Sequence, residues 1–270
     1  MHDSGEDLIL LIDVGNTNTK FGIAGWTGIH VSIVLPTERT ATSDRLGLSV
    51  LDLCRWLQID PRSLTTWLVS SVVPPLDPLW IKAGEKFSNC PVRFVTRDVP
   101  IPLENRYARP EEVGADRLIT AFGARQIFQT QSLIIVDFGT ATTFDCVQGN
   151  SYLGGLICPG MESSVRALGT QAAKLPQINL ENPSTAMQIG RSTEQSLQSG
   201  LLFGFAAMAE GLCSRLKEGL SRDVAVIGTG GLAEKIAPIC PCLDAIQPDL
   251  LLQGMLKSYT LHVQNQGDNP

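Results

Sequence analysis

Histidine is scarce in this chain: 270 residues contain three, His2, His30 and His262. Two stand near the chain ends, which leaves His30 as the one placed for a built pocket. A Ser-His-Asp hydrolase, a papain-like thiol enzyme or a histidine-ligated zinc site needs such a residue. The chemistry is therefore expected from carboxylates, backbone amides and ions. Cysteine is present without a pattern, at positions 54, 90, 146, 158, 213, 240 and 242. The number is odd and no CxxC occurs, which suits a reduced cytosolic protein rather than a disulfide scaffold. Cys240-Pro241-Cys242 is the one close pair. With no further ligand beside it in sequence, it is expected to be two small residues in a loop.

Long apolar runs are missing too. The longest, residues 200–209, falls far short of the ~20 residues of a membrane span. Residues 1–7 carry three acids and no Lys or Arg, unlike the basic start of a secretory signal. Positive charge is in deficit, with 21 Lys and Arg against 27 Asp and Glu and a net charge of −6. Such a surface repels a phosphate backbone. No Gly-Lys-Ser/Thr occurs, so the Walker A loop is absent. The expectations are a cytoplasmic location, no membrane and no nucleic-acid partner.

What is present is an ordinary globular composition, 43% hydrophobic and 18% charged, enough for one large domain or two of average size. Residues 8–14, 21–26 and 30–35 suit three strands, the first two a hairpin. Residues 43–58 carry Leu46, Val50, Leu53, Cys54 and Leu57 at helical spacing, with Ser43 as N-cap. A strand at 67–73 and a helix opened by Pro74 and Pro75 follow. Then come a strand at 92–96, a three-proline loop at 100–110 and a helix at 111–129. A second series has strands at 133–137, 142–147 and 152–158 and helices at 161–173 and 193–219. It ends with a strand at 224–228, a helix at 232–237 and a last helix at 250–262. The tail, residues 264–270, is expected to fray.

Two segments echo each other. Leu10-Leu11-Ile12-Asp13-Val14-Gly15-Asn16-Thr17-Asn18-Thr19 is matched by Ile134-Ile135-Val136-Asp137-Phe138-Gly139-Thr140-Ala141-Thr142-Thr143, with Asp13 and Asp137 124 positions apart. In each, an aspartate emerges at the end of a buried strand, where it can hold a cation or a metal-bound water. The glycine permits a sharp turn and close backbone approach to a ligand. The turn amides and the Thr and Asn side chains can bond phosphate oxygens. Asp-x-Gly after a strand is also ordinary hairpin punctuation. Two copies at half-chain spacing, each hydroxyl-rich, favour a duplicated phosphate site and two similar lobes facing a cleft. Gly228-Thr229-Gly230-Gly231 suits a strand-to-helix turn against which a base or ribose could lie, and equally a plain tight turn. Too little chain follows it for a dinucleotide domain.

The two hairpins resemble the phosphate loops of the actin, Hsp70 and sugar-kinase superfamily. Further strings narrow the resemblance: Tyr107 before Gly114-Ala115-Asp116-Arg117, then Gly154-Gly155-Leu156-Ile157-Cys158-Pro159-Gly160 followed by Ala167-Leu168 and Leu175-Pro176, then the glycine turn at 228. Together they resemble type III pantothenate kinase over residues 8–260. The resemblance implies an α/β, duplicated ribonuclease H-like fold, two-lobed with a central cleft. The lobes are expected at 1–115 and 116–270, with the last helix a candidate to pack back on the first lobe. It implies ATP-dependent phosphorylation of pantothenate to 4'-phosphopantothenate, the first step toward coenzyme A, by a homodimer that uses Mg²⁺ and a monovalent cation, K⁺ or NH₄⁺. It assigns ATP to Asp13, Val14, Gly15, Asn16, Thr17, Asn18, Thr19, Lys20 and Thr140. Asp13 would hold Mg²⁺ through water and Asp137 the monovalent cation. Asp116 would be the catalytic base, with Gly114, Ala115, Asp116, Arg117, Tyr107 and Thr193 around pantothenate and Thr193 reaching across the dimer. The competing readings are a sugar kinase of the same superfamily and a nucleotide-binding regulator without catalysis.

Overall fold

Strand β1 (Leu8–Val14) is buried on both faces. That is what a near-continuous apolar run in the middle of a sheet requires. In this computed structural model, which describes residues 7–171 and 185–267, it pairs antiparallel with β2 (Asn18–Gly25) and parallel with β4 (Leu64–Ser71). Strand β3 (Gly28–Pro36) and the short β5 (Val92–Phe94) complete a five-stranded sheet of order β3-β2-β1-β4-β5. Side chains alternate across a strand. Leu10, Ile12 and Val14 therefore enter one core with Val50 and Cys54 of α1 (Ser43–Leu57) and Trp80 and Ala83 of α2 (Asp77–Phe87). Ile9 and Leu11 enter the other, with Ile119 of α3 (Ala115–Ile127) and Leu252 and Met255 of α7 (Leu250–Gln266).

The second sheet repeats the plan. Strand β7 (Ser132–Phe138) pairs antiparallel with β8 (Ala141–Gln148), which pairs antiparallel with β9 (Ser151–Pro159). On its other side β7 pairs parallel with β10 (Val224–Thr229), and β10 with β11 (Ala245–Ile246). The order β9-β8-β7-β10-β11 is that of the first sheet, with β6 (Glu104–Asn105) added parallel to β9. Ile134, Val136 and Phe138 pack against Leu202, Ala206, Ala209 and Cys213 of α5 (Thr193–Glu218) and against Ala233 and Ile236 of α6 (Ala233–Ile236). Helix α4 (Met161–Gln171) contributes Met161 to that core.

Contacts divide the chain into two units. One comprises Met1–Leu103, Glu111–Gln126 and Leu251–Pro270; the other comprises Glu104–Pro110 and Ile127–Leu250. This differs from a single boundary after residue 115. Helix α3 belongs with the first sheet because Ile119 is fully buried among Ile9, Leu11 and Leu252. Helix α7 belongs there too, with Gly254 against the Ile119 carbonyl and Leu252 against Gly22.

Local corrections are small. Thr42, not Ser43, caps α1 by accepting from the Arg45 amide at 3.2 Å. The expected helix at 111–129 is a short 3₁₀ turn at Pro110–Glu112 followed by α3 from Ala115. The strand expected at 67–73 begins at Leu64 and ends at Ser71. Strands β6 and β11, two residues each, are too short to leave a period in the sequence. The pair Leu175-Pro176, the end of the helix expected at 161–173, His2 and residues 268–270 lie outside the described residues. Among the described residues no helix is long and apolar enough to cross a membrane.

A Cβ at Gly254 would stand 2.3 Å from the Ile119 carbonyl oxygen, a backbone atom no rotamer change can move. Gly254→Ala is expected to lower stability by about 1–3 kcal/mol through overpacking, against about 1 kcal/mol gained in helix propensity. Gly211→Ala on α5, where nothing lies within 4 Å, should be neutral or stabilising. Urea midpoints for the two variants check this contrast.

Candidate active site

Five apolar residues precede Asp13 in β1, and Asp13 shares the strand face of Ile9 and Leu11, the face that meets α3 and α7. The carboxylate is half-buried. Its cross-strand partner is Lys20 on β2, and its parallel neighbour is Ser70 on β4. Ser70 is fully buried, and its hydroxyl has no protein partner. The turn after Asp13 is closed by the Gly15 amide donating to the Asn18 carbonyl at 3.0 Å. A Cβ at Gly15 would lie 2.7 Å from that carbonyl oxygen, so the turn needs glycine.

The turn is also tied from the end of β3. Thr37 donates from its hydroxyl to the Gly15 carbonyl at 2.7 Å and from its amide to the Thr17 carbonyl at 2.8 Å. Its hydroxyl also meets that of Thr19 at 2.9 Å. Arg39 donates to the Asn16 carbonyl and, at 2.8 Å, to the Asn16 side-chain oxygen. Sequence reasoning missed Thr37 and Arg39. They act across a hairpin at separations of 22 and 23 residues, and neither belongs to a motif.

Asp116 stands in the first turn of α3. Its Oδ1 accepts from the Arg117 amide at 2.8 Å. It also crowds Gly114, where a Cβ would lie 2.4 Å from it. The same point is 4.0 Å from a Val72 methyl, and the Val72 amide donates to the Val14 carbonyl at 3.0 Å. The first unit thus brings Asp116, Gly114, Ala115 and Arg117 to the end of β1 where residues 13–20 turn. Burial raises the Asp116 carboxyl above its ordinary value; the Arg117 amide and charge oppose that and are outweighed.

In the second unit Asp137 occupies in β7 the place that Asp13 has in β1. Its Oδ1 would be 2.2 Å from a Cβ at Gly230 and 3.3 Å from one at Gly139. Gly230 has φ +88°, so it needs glycine on both counts. The glycine turn at 228–231 therefore presses on Asp137, a juxtaposition sequence reasoning did not make. Thr140 is exposed at the hairpin tip, and its carbonyl accepts from the Ser163 hydroxyl at 2.7 Å at the start of α4. The Tyr107 ring lies on Gly154, where a Cβ would be 3.0 Å from it. Its loop is fixed by the Arg106 amide on the Tyr152 carbonyl and by the Tyr107 amide on the Asn105 side chain. Thr193 is exposed at the start of α5, after the N-cap Ser192, which accepts from the Gln195 amide. Asp145, 1% exposed, accepts from the Tyr152 hydroxyl at 2.7 Å and from Thr143 at 3.2 Å. It was not singled out from sequence, because nothing marks a buried carboxylate inside a strand pattern.

Among the described residues no group of three or more His, Cys, Asp or Glu is arranged to hold a metal ion. Any ion at Asp13 or Asp137 must therefore complete its shell with water or ligand oxygens. His30 is exposed on β3.

The repeated sheet order, with an aspartate and a glycine turn at the end of each central strand, defines the duplicated ribonuclease H-like fold. A ROK-family glucokinase of Streptomyces griseus has the same fold at TM-score 0.54 and 14% identity, covering 95% of this chain and 99% of that one. A conserved Baf-family protein of Campylobacter jejuni has it at TM-score 0.58 and 17% identity, covering 96% and 100%. The family model for type III pantothenate kinase matches residues 9–215. A type III pantothenate kinase of Nitratidesulfovibrio vulgaris is 49% identical over 252 residues, 93% of this chain and 96% of that protein. The chain belongs to the type III pantothenate kinase family.

A carboxyl raised in the folded state weakens the fold once it ionises. The penalty is absent below the ordinary carboxylate range and appears as pH rises through the native pKa of Asp116. Asp116→Asn keeps an oxygen for the Arg117 amide and removes the buried charge. It is expected to raise the urea midpoint at neutral pH, with the gain shrinking toward acid. An equal gain at both pH values would show that the charge is not what costs stability.

Proposed function

We propose that the chain transfers the γ-phosphoryl group of ATP to the hydroxyl of pantothenate, giving 4'-phosphopantothenate, the first step of coenzyme A biosynthesis, in the cytoplasm. Family membership supplies the reaction. The observation that carries the assignment of its base is the half-buried Asp116 at the start of α3, with its carboxyl raised by burial beside the loop at 13–20. Asp116 accepts the proton of the attacking hydroxyl as the oxygen–phosphorus bond forms. A carboxylate of raised basicity suits that role better than one at its ordinary value. Arg117 pairs with the pantothenate carboxylate with Gly114 and Ala115 around the substrate, and Tyr107 contacts pantothenate.

The loop of Asp13, Val14, Gly15, Asn16, Thr17, Asn18, Thr19 and Lys20 orients the phosphates, and Thr140 binds the nucleotide. The donor sets suit two hard cations. Asp13, beside the unpartnered Ser70 hydroxyl, fits a water-shelled Mg²⁺ that takes its other ligands from phosphate. Asp137 has an oxygen in a cradle that a Cβ at Gly230 would fill, which fits a monovalent cation, K⁺ or NH₄⁺. When bound, the cations neutralise the charge that two carboxylates and a polyphosphate accumulate. Thr193, exposed at the start of α5, serves the substrate of the other chain in a homodimer.

Asp116→Asn is expected to lower kcat by about 10²–10⁴-fold with MgATP binding retained, measured by ADP release with pantothenate and by calorimetry. Unchanged turnover would remove Asp116 from the base role. Turnover of hexoses without pantothenate would overturn the substrate. Replacing K⁺ by Na⁺ is expected to depress turnover in the parent protein and in Asp137→Asn to change little.

A further inference from the structure

Three of the seven cysteines, spread over 30 residues of sequence, meet in the second unit. Cys213 lies on the buried face of α5 and is 1% exposed; Cys240, after α6, is 1% exposed as well. Cys242 is half-exposed. The Leu243 amide donates to the Cys240 carbonyl at 3.2 Å, closing a turn with Pro241 and Cys242 at its corner. That turn puts the Cys240 and Cys242 sulfurs 3.4 Å apart. From sequence the pair had no further partner. The fold supplies one in Cys213.

The chemistry of the three differs. The Cys213 and Cys240 thiols are pushed above the usual thiol range, first by hydrogen bonding to Cys242 and then by burial. Cys242 is held well below that range, first by the Cys213 thiol, then by the Cys240 thiol, with Lys217 adding its charge and burial opposing. Glu210 faces Cys240. The half-exposed Cys242 sulfur thus sits against two buried thiols and is the one of the three whose pKa is lowered, an arrangement in which a cysteine reacts and a neighbour resolves the product.

We propose that Cys242 is a reactive thiol whose oxidation by a hydroperoxide is resolved by Cys240 as a disulfide within the Cys240-Pro241-Cys242 turn. The Cys242 thiolate attacks the peroxide oxygen–oxygen bond, taking one oxygen as sulfenic acid and releasing, for hydrogen peroxide, one water after proton uptake. The Cys240 sulfur then displaces that oxygen as a second water, and the sulfur–sulfur bond forms. Two thiols are oxidised by two electrons, and one peroxide is reduced to two waters. Residues two apart in a turn have Cα atoms roughly 5–7 Å apart, overlapping the ~4.4–6.8 Å over which disulfides close. The sulfurs must approach by only about 1.4 Å to reach bonding distance. Cys240 is preferred to Cys213 as the resolving thiol because it moves with the same turn, whereas Cys213 is fixed within a packed helix.

The test uses the full-length reduced protein, treated with hydrogen peroxide, blocked with maleimide and cut with trypsin. Cys240 and Cys242 fall in one tryptic peptide, residues 236–257, and Cys213 in another, residues 192–215. The expected product is the 236–257 peptide lighter by two hydrogens and unlabelled. In Cys240→Ser the sulfenic acid on Cys242 should persist and be trapped by dimedone; in Cys242→Ser neither product should form. Before oxidation Cys242 should alkylate at least about tenfold faster than the other half-exposed thiol, Cys158, at about pH 6. Alkylation of Cys242 no faster than Cys158 would overturn its reactivity. A peptide 236–257 joined to 192–215 would overturn Cys240 as the resolving thiol.

Discussion

In β1 and β7 a carboxylate stands one position before the end of a strand, directly after a run of at least four buried residues. Alternation across the strand puts Leu10, Ile12 and Val14 into one core and leaves Asp13 on the other side, with Ile134, Val136, Phe138 and Asp137 arranged alike. A slip of one residue in β1 would exchange the side chains of its two faces and carry Asp13 into the core packed by α1 and α2. The hydrophobic effect therefore fixes where the charges emerge. Everything else at the two hairpins elaborates that placement: glycine closing the turn, hydroxyls from neighbouring strands tying it down, and a second glycine turn closing on Asp137.

Asp116 is governed by a different balance. Its position in the first turn of α3 favours negative charge, and the Arg117 amide does too. Burial wins nonetheless. A group held against its preferred ionisation is a liability to the fold and an asset to a proton acceptor, and the packing of Gly114 against it leaves little room to relax. Thr37 and Arg39, by contrast, hold the backbone of residues 15–17 in place through hydrogen bonds from beyond the hairpin.

Much of this was legible in the sequence. Periodicity located the long helices and central strands, and the repeat between Asp13 and Asp137 anticipated two sheets of one topology. The Gly-Ala-Asp-Arg string, noted for its resemblance, falls at the start of α3, inside the helix expected from residue 111. What was not legible arose from contacts between distant segments. The unit boundary was missed because Ile119 and Gly254 meet only in space. Asp145 looks in sequence like a polar residue facing solvent on alternate positions, yet Tyr152 on the adjoining strand buries and satisfies it. The third cysteine of the cluster lies on a helix that carries no cysteine pattern of its own.

The placement of α7 has a consequence for synthesis. The first sheet precedes the second along the chain, but Ile9, Leu11 and Leu68 share their core with Leu252, Met255 and Leu256, which are translated after the strands of both sheets. The second unit, apart from its short leading segment, is continuous from Ile127 to Leu250 and has its whole core in hand before then. Vectorial synthesis thus reverses the order of the two units: the one translated first must hold one apolar face open until α7 has been made. During that interval it is the part of the nascent protein most in need of shelter from aggregation.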